Sequence, residues 1–315
     1  MSIFKININE TSNGDRYVNW ICGDWLEKFI DYQFPNKKHK LTFISVNGRR
    51  PCLYSDTNKK IFFSGENLES NIIHKNIKND YFNIRYYWFN IRKNLYKDYL
   101  LNEVDLSLGY AYKNDENYLR FPLWIMYLFY PKSKYSDIIA KIQEINKSRS
   151  LALRDFICIN RHDLFGLRTK MCNDLSEKFI ITYAGKWRNN TDELWKNYDN
   201  DKLRYLKLFK FNICPENMDA PNYCTEKLFD SLYCGCIPIY AGCLNNPEPE
   251  IINRDFVIFW NLDGDNSAQI KLLNKLKTDE KYYIKFISQT KLNTNAADYI
   301  AEYFEQLKTK LRDLL

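Results

Sequence analysis

Short apolar runs punctuate the chain: "KLTFISV" (40–46), "KIFFSGEN" (60–67), "DLSLGY" (105–110), "DFICIN" (155–160), "KFIITYAG" (178–185), "CIPIYAG" (236–242) and "FVIFW" (256–260). Each is a few hydrophobic residues long and ends in turn formers or polar residues, the pattern of a buried strand. Between several of them the apolar positions recur at helical spacing, as at Leu228 and Leu232 with Phe229 and Tyr233 beside them. Strands alternating with helices predict an α/β fold with parallel layers. The stretch 132–150 is polar and charged, which predicts a domain boundary near 150 and domains over 1–150 and 151–295. A stripe of Ile300, Phe304, Leu307, Leu311 and Leu314 predicts a terminal helix over 296–315 that packs back on the first domain. Nothing repeats at a fixed period, which argues against a solenoid.

Composition changes this picture little. The chain has 315 residues, enough for two domains without covalent staples. The 24 Tyr and 20 Phe spread over its whole length, so compositional bias explains them as well as a stacking function does. A net charge of +7 favours anionic partners such as nucleotides, phospholipid headgroups or nucleic acid, without choosing among them. The nine cysteines include no CxxC pair and lie mostly in apolar strings, which predicts buried free thiols in a reducing compartment. The first residues lack a signal peptide's apolar core, and the longest apolar run, 121–130, is too short to cross ~30 Å of hydrocarbon. The expectation is a cytoplasmic protein whose basic C-terminal helix, "QLKTKLRDLL", can touch the inner face of a membrane peripherally.

Candidate chemistry concentrates in "ENMDAPNYCTEKLFDSLYCGCIPIYAG" (216–242). Its helix carries Glu226, Lys227 and Asp230 on a polar face and is ended by Gly235, which lets "CIPIY" enter a sheet. Lys227 falls in the first turn, where a cation opposes the helix dipole by about 0.3–1 kcal/mol. Two readings fit: a diphosphate shared between Lys227 and the free backbone N–H groups, or an exposed lysine paired to Glu226 or Asp230. Glu66 follows a buried strand, where open α/β sheets bind ligands, though a solvated acid in a turn fits the position too. Arg168 and Arg120 stand beside apolar segments, either as phosphate clamps or as surface arginines with buried stems. "DND" (199–201) and "DGD" (263–265) pair acids as a divalent ion would need; "DGD" also reads as a turn leading to Ser267 as the N-cap of a helix through Ile270, Leu273 and Leu276. His39, His74 and His162 have no metal-ligand spacing, and no phosphate-loop or dinucleotide glycine fingerprint occurs.

Taken in order, these segments resemble the α1,3/4-fucosyltransferases, glycosyltransferase family 10, in their bacterial form. "FKFNICPEN" followed by "TEK", a helix and "PIYAG" is similar to the family's signature, and "GEN", "RFP" and "LRTKMCNDL" precede it in the family's order, over about 60–260. The resemblance implies a GT-B architecture of two Rossmann-like domains facing across a cleft, and inverting transfer of L-fucose from GDP-β-L-fucose. It implies Glu66 as general base, Arg168 and Lys227 on the diphosphate, and Asn217, Tyr223 and Glu226 on the nucleotide sugar. It further implies that donor binding needs no metal, with stimulation by Mn²⁺ or Mg²⁺ through product release left open. Asn67 and Arg120 are candidates for the acceptor side or the cleft. The expected acceptor is a glycan, N-acetyllactosamine-like or part of a lipopolysaccharide, taking fucose at O3 of GlcNAc. One departure is a longer segment at 71–100, rich in aromatic and basic residues. Its Tyr86 and Trp88 are acceptor candidates if the segment shapes that site, and packing residues if it is a helical insert. The alternatives are a GT-B enzyme using another nucleotide sugar and, remotely, a single-strand nucleic-acid binder using "RYYWFNIRK". The expectation is no nucleic-acid partner, since nucleic-acid binding does not account for the ordered motifs of the second half.

Overall fold

The computed structural model describes residues 6–11, 14–20, 22–51, 57–69, 91 and 93–315. Most of the 71–100 segment, including Tyr86 and Trp88, lies outside the described residues. Its last part packs in the core: Tyr96, Tyr99 and Leu100 are fully buried, and Tyr96 stacks on Phe62 with ring centroids 5.8 Å apart.

Two sheets organise the described residues. The first runs β1 (Ile8–Glu10), β2 (Arg16–Val18), β3 (Leu41–Ser45), β4 (Lys59–Phe63), β5 (Leu106–Gly109), β6 (Tyr118–Arg120) in that spatial order, antiparallel only at β1–β2. The second holds β7 (Arg154–Cys158), β8 (Ile181–Tyr183), β9 (Phe209–Ile213), β10 (Ile237–Tyr240) and β11 (Ile258–Phe259), all parallel, in the order β11-β10-β9-β7-β8. All seven apolar runs form strands. Strands β1, β2, β6 and β9 lie outside those runs. In β9 a polar residue breaks the run: Asn212 is buried, and its amide donates to Ser231 Oγ at 2.7 Å, which makes a polar side chain tolerable in a central strand.

The described residues form two compact units: 6–69, 91–136 and 298–315 in one, 137–297 in the other. The division falls at 136–137, ahead of the expected boundary near 150. The polar stretch there is the helix Tyr135–Lys147, whose Ile138, Ile142 and Ile145 are buried and whose Asn146 side chain accepts from the N–H groups of Lys291 (2.7 Å) and Leu292 (2.9 Å). The terminal helix Ala296–Leu314 sets Phe304 against Trp25, Phe29 and Phe129 at centroid distances of 5.9, 6.0 and 6.2 Å.

Strand order positions the site. In the second unit the chain moves from β7 out to β8, then returns past β7 to β9 and continues to β10 and β11. The carboxyl ends of β7 and β9 therefore flank a topological switch point, the crevice where open parallel sheets bind ligands. The first sheet progresses from β2 to β6 without such a reversal.

The helix Glu226–Cys234 joins β9 to β10 and buries Leu228, Phe229 and Leu232. Gly235 ends it at φ 77°, and the Cys236 N–H closes on the Ser231 carbonyl at 3.0 Å. The flanking Cys234 and Cys236 pack with Ile157, Tyr205 and Phe209, their thiols donating to the Leu203 and Leu206 carbonyls. The Cys-Gly-Cys triplet is a packing feature.

Candidate active site

The chain leaves β7 through Asn160–Asp163 and turns at Gly166 (φ 76°) into the helix Leu167–Ser176. Arg168 lies in its first turn, only 3 % exposed. Its guanidinium donates to the His162 carbonyl, in the loop after β7, and to Asn217 Oδ1, in the loop after β9. Arg168 thus bridges the two loops that flank the switch point. Its Nε is buried without a hydrogen-bond partner among the described residues.

Lys227 occupies the equivalent place on the helix after β9. Its ammonium donates to Glu216 Oε2 at 2.9 Å and to Thr225 Oγ1 at 2.8 Å, while Glu226 stands off at 3.9 Å. Asp230 is taken by Lys202 at 2.6 Å. The reading of Lys227 as an exposed lysine paired to Glu226 or Asp230 is therefore corrected: its partner is Glu216, eleven residues upstream and fully buried. That carboxylate also accepts from the Thr225 N–H (2.8 Å), Thr225 Oγ1 (2.7 Å) and the Tyr240 hydroxyl (3.3 Å). Thr225 is the N-cap, yet its hydroxyl is spent on Glu216. The anion expected at a helix start comes from the neighbouring loop.

Charge follows geometry. Burial acts to lower the Lys227 ammonium, but the Glu216 and Glu226 carboxylates outweigh it and hold the group above the ordinary lysine range. Burial acts to raise the Glu226 carboxyl, and Lys227 with Lys202 outweighs that and holds it below the ordinary range. Two cations stand in the first turns of the two helices that follow β7 and β9, where helix N–H groups favour an anion.

A different site occupies the first unit. A cavity of about 440 Å³ opens at the carboxyl ends of β3 and β4, lined by Ser45, Asn47, Phe63, Glu66, Met126 and Tyr127 among others. The Glu66 backbone is held by Ser64, whose Oγ accepts from the Glu66 N–H at 3.2 Å and donates to the Glu66 carbonyl at 3.1 Å. The cavity presents one carboxylate between apolar walls.

The sequence candidates therefore separate. Arg168, Asn217, Glu226 and Lys227 converge, with Tyr223 buried just ahead of the helix at 1 % exposure. Glu66 lines its cavity, but Asn67 and Arg120 do not. Asn67 is fully buried, and its Oδ1 accepts from the Tyr110 hydroxyl and the Glu69 N–H. Arg120 donates to the Tyr110 carbonyl (2.8 Å) and to the Tyr303 hydroxyl of the terminal helix. The acid triplets begin helices. Asp201 caps the helix Lys202–Leu206, and Asp265 accepts from the Ser267 N–H at 2.9 Å, which makes Ser267 the first helical residue and Asn266 the cap position. The carboxylate missed is Glu216. It stands in the "PEN" of the quoted segment, but no local periodicity connects it to Lys227.

Residues 156–309, which contain the crevice of Arg168 and Lys227, match the family model described as glycosyltransferase family 10 (fucosyltransferase) C-term. An α-(1,3)-fucosyltransferase of Helicobacter pylori is 27% identical over 298 residues, covering 89% of this chain and 56% of that protein. The α-(1,3)-fucosyltransferase B of Drosophila melanogaster is 29% identical over 220 residues, 67% and 44% of the two chains. The chain thus spans about half the length of these curated relatives. A crystal structure of an α1,3-fucosyltransferase matches at 19% identity and a TM-score of 0.56 over 92% of this chain and 88% of that one. Another, of an α1,3-fucosyltransferase with GDP-fucose, matches at 19% identity and 0.52 over 87% and 79%. The likeness in structure makes the fold a GT-B fold. The ordered motifs and the matched domain make residues 156–309, just under half of the chain, similar to the C-terminal domain of glycosyltransferase family 10.

Proposed function

We propose that the protein is an inverting α1,3-type fucosyltransferase that moves L-fucose from GDP-β-L-fucose to O3 of a GlcNAc in an N-acetyllactosamine-like unit of a surface glycan such as lipopolysaccharide. The observation that carries this reading is the pair of cations at the switch point, with Arg168 bonded to the loops on both sides of it. A diphosphate held there places its charge against Arg168, Lys227 and the unbonded N–H groups of two helix starts. Asn217, Tyr223 and Glu226 serve the nucleotide sugar. Glu66 supplies the base. As the acceptor oxygen bonds to C1 of fucose, its proton passes to the Glu66 carboxylate. The C1–O bond to GDP breaks, and the electron pair leaves on the β-phosphate oxygen, where the two cations stabilise it. In this reading the first unit serves the acceptor and the second the donor. Donor binding needs no metal.

The test is direct. Purified protein is incubated with GDP-fucose or UDP-sugars and an N-acetyllactosamine acceptor, with and without a chelator. Fucosylated product from GDP-fucose alone, undiminished by chelator, is expected. Absence of transfer across a broad glycan panel, together with no GDP binding, would sink the assignment.

A further inference from the structure

We propose that Glu216 is the positioning residue of the donor site, its buried carboxylate holding the Lys227 ammonium at the start of the helix Glu226–Cys234. The role rests on the reading of Lys227 as a diphosphate ligand. Glu216 is fully buried, an expensive place for a carboxylate unless it is paired and fully hydrogen-bonded. Both oxygens are saturated: Oε1 accepts from the Thr225 N–H and the Tyr240 hydroxyl, Oε2 from Thr225 Oγ1 and Lys227 Nζ.

The surrounding chain is built for this side chain. The Glu216 N–H donates to the Ala241 carbonyl at 2.9 Å, which brings the residue against the end of β10. There Gly242 stands at φ 147°, and a Cβ on it would lie 2.6 Å from Glu216 Cγ. The glycine of "PIYAG" therefore makes room for the carboxylate.

The consequence for Lys227 is geometric. An ammonium has three protons, and Glu216 and Thr225 take two of them. One donor remains for an incoming phosphate oxygen. Helix capping alone does not need this arrangement, since a neutral acceptor at Glu216 would satisfy the Thr225 N–H equally well. What a neutral acceptor cannot do is keep a buried ammonium charged. The charged groups that act on Lys227 are Glu216 from the loop after β9, Glu226 and Asp230 from its own helix, and Arg168 from the helix Leu167–Ser176. Lys202 acts on those two acids. Glu216 is the only one of the three acids within hydrogen-bond reach of the ammonium.

GDP affinity is to be measured by calorimetry from pH 6 to 9 for the wild type, Lys227→Met, Glu216→Gln and the double variant. Lys227→Met should weaken binding. Glu216→Gln should weaken it about 10-fold near neutrality, with a deficit that widens as pH rises because Lys227 has lost its countercharge. The double variant should bind no more weakly than Lys227→Met. A Glu216→Gln deficit equal at every pH, or affinity unchanged or tighter, overturns the positioning role and leaves helix capping. If Lys227→Met itself binds GDP like the wild type, the donor-site reading fails instead. Should Glu216→Gln not fold, the wild-type lysine titration by NMR, with the Lys227 signal assigned by its loss in Lys227→Arg, decides the matter. A titration above the ordinary lysine range supports the role, and one at or below it overturns it.

Discussion

The two units both place loops at the carboxyl ends of parallel strands, yet they make opposite kinds of site. In the second, strand order reverses between β7 and β9, and Arg168 and Lys227 stand in the first turns of the helices that follow those strands. In the first, β2 to β6 follow one another without a reversal, and the candidate site is a cavity with mostly apolar walls, lined in part by Glu66. A second contrast lies within the second unit. Lys291 is fully buried, but among the described residues its ammonium meets the carbonyls of Ser148 (2.8 Å) and Asn146 (3.3 Å) and the Phe256 ring, with no carboxylate. Burial, with Arg149 nearby, lowers it to about 7. Lys227 is held above the ordinary range because it has a carboxylate. Burial penalises both cations, and only at Lys227 does a countercharge outweigh the penalty.

The sharpest break of the first contrast is Lys227→Met. It should lower kcat/KM for GDP-fucose by about 10³ through lost stabilisation of the leaving diphosphate, and steady-state kinetics on a folded variant measures it. The cavity's counterpart, Glu66→Gln, should lower turnover about 100-fold while GDP affinity stays at the wild-type value. Weaker nucleotide binding in that variant would move Glu66 to the donor side. Asn217→Ala removes the acceptor that holds Arg168 across the crevice, and a loss in GDP affinity of about 10-fold is expected. The gentlest probe concerns the lysines. Unfolded Lys291 keeps its proton to about 10.4, whereas the folded group releases it above about 7. Between those values the unfolded chain binds more protons, so this residue makes stability rise with pH across that window and adds no slope below it. Urea unfolding at pH 7 and pH 9 should therefore show a smaller pH difference in Lys291→Met than in the wild type. An equal difference in both would mean that Lys291 is charged in the fold.

The legible parts of the molecule were those written in local order. The seven apolar runs became strands because a strand buried on both faces needs apolar residues at successive positions, whatever surrounds it. Strand β9 was harder to see, because Asn212 finds its partner, Ser231, on the helix that follows. The polar stretch at 132–150 does hold the division between the units, at 136–137, but most of it is a helix with three buried isoleucines, a stripe diluted by the charges around it. Among the site candidates, Lys227 is legible as a cation at a helix start, whereas Arg168 reads only as a cation beside an apolar segment until the fold puts it at one. Asn67 follows Glu66 and Arg120 belongs to "RFP"; their hydrogen bonds to Tyr110 and Tyr303 tie them into the first unit, away from the lining of the Glu66 cavity.

By itself the sequence determined the α/β class, the parallel strands, the helix that begins at "TEK" and ends at Gly235, and the likeness of its second half to the family. Each of these depends on residue types at short, regular spacing, which the backbone reads directly. Tertiary structure alone decided that β9 returns beside β7 and opens the switch point. It also decided that Lys227 answers to Glu216 rather than to the acids of its own helix, and that Gly242 exists to clear that carboxylate. A buried charge takes the partner that folding brings within about 3 Å, and distance along the chain says nothing about which partner that is.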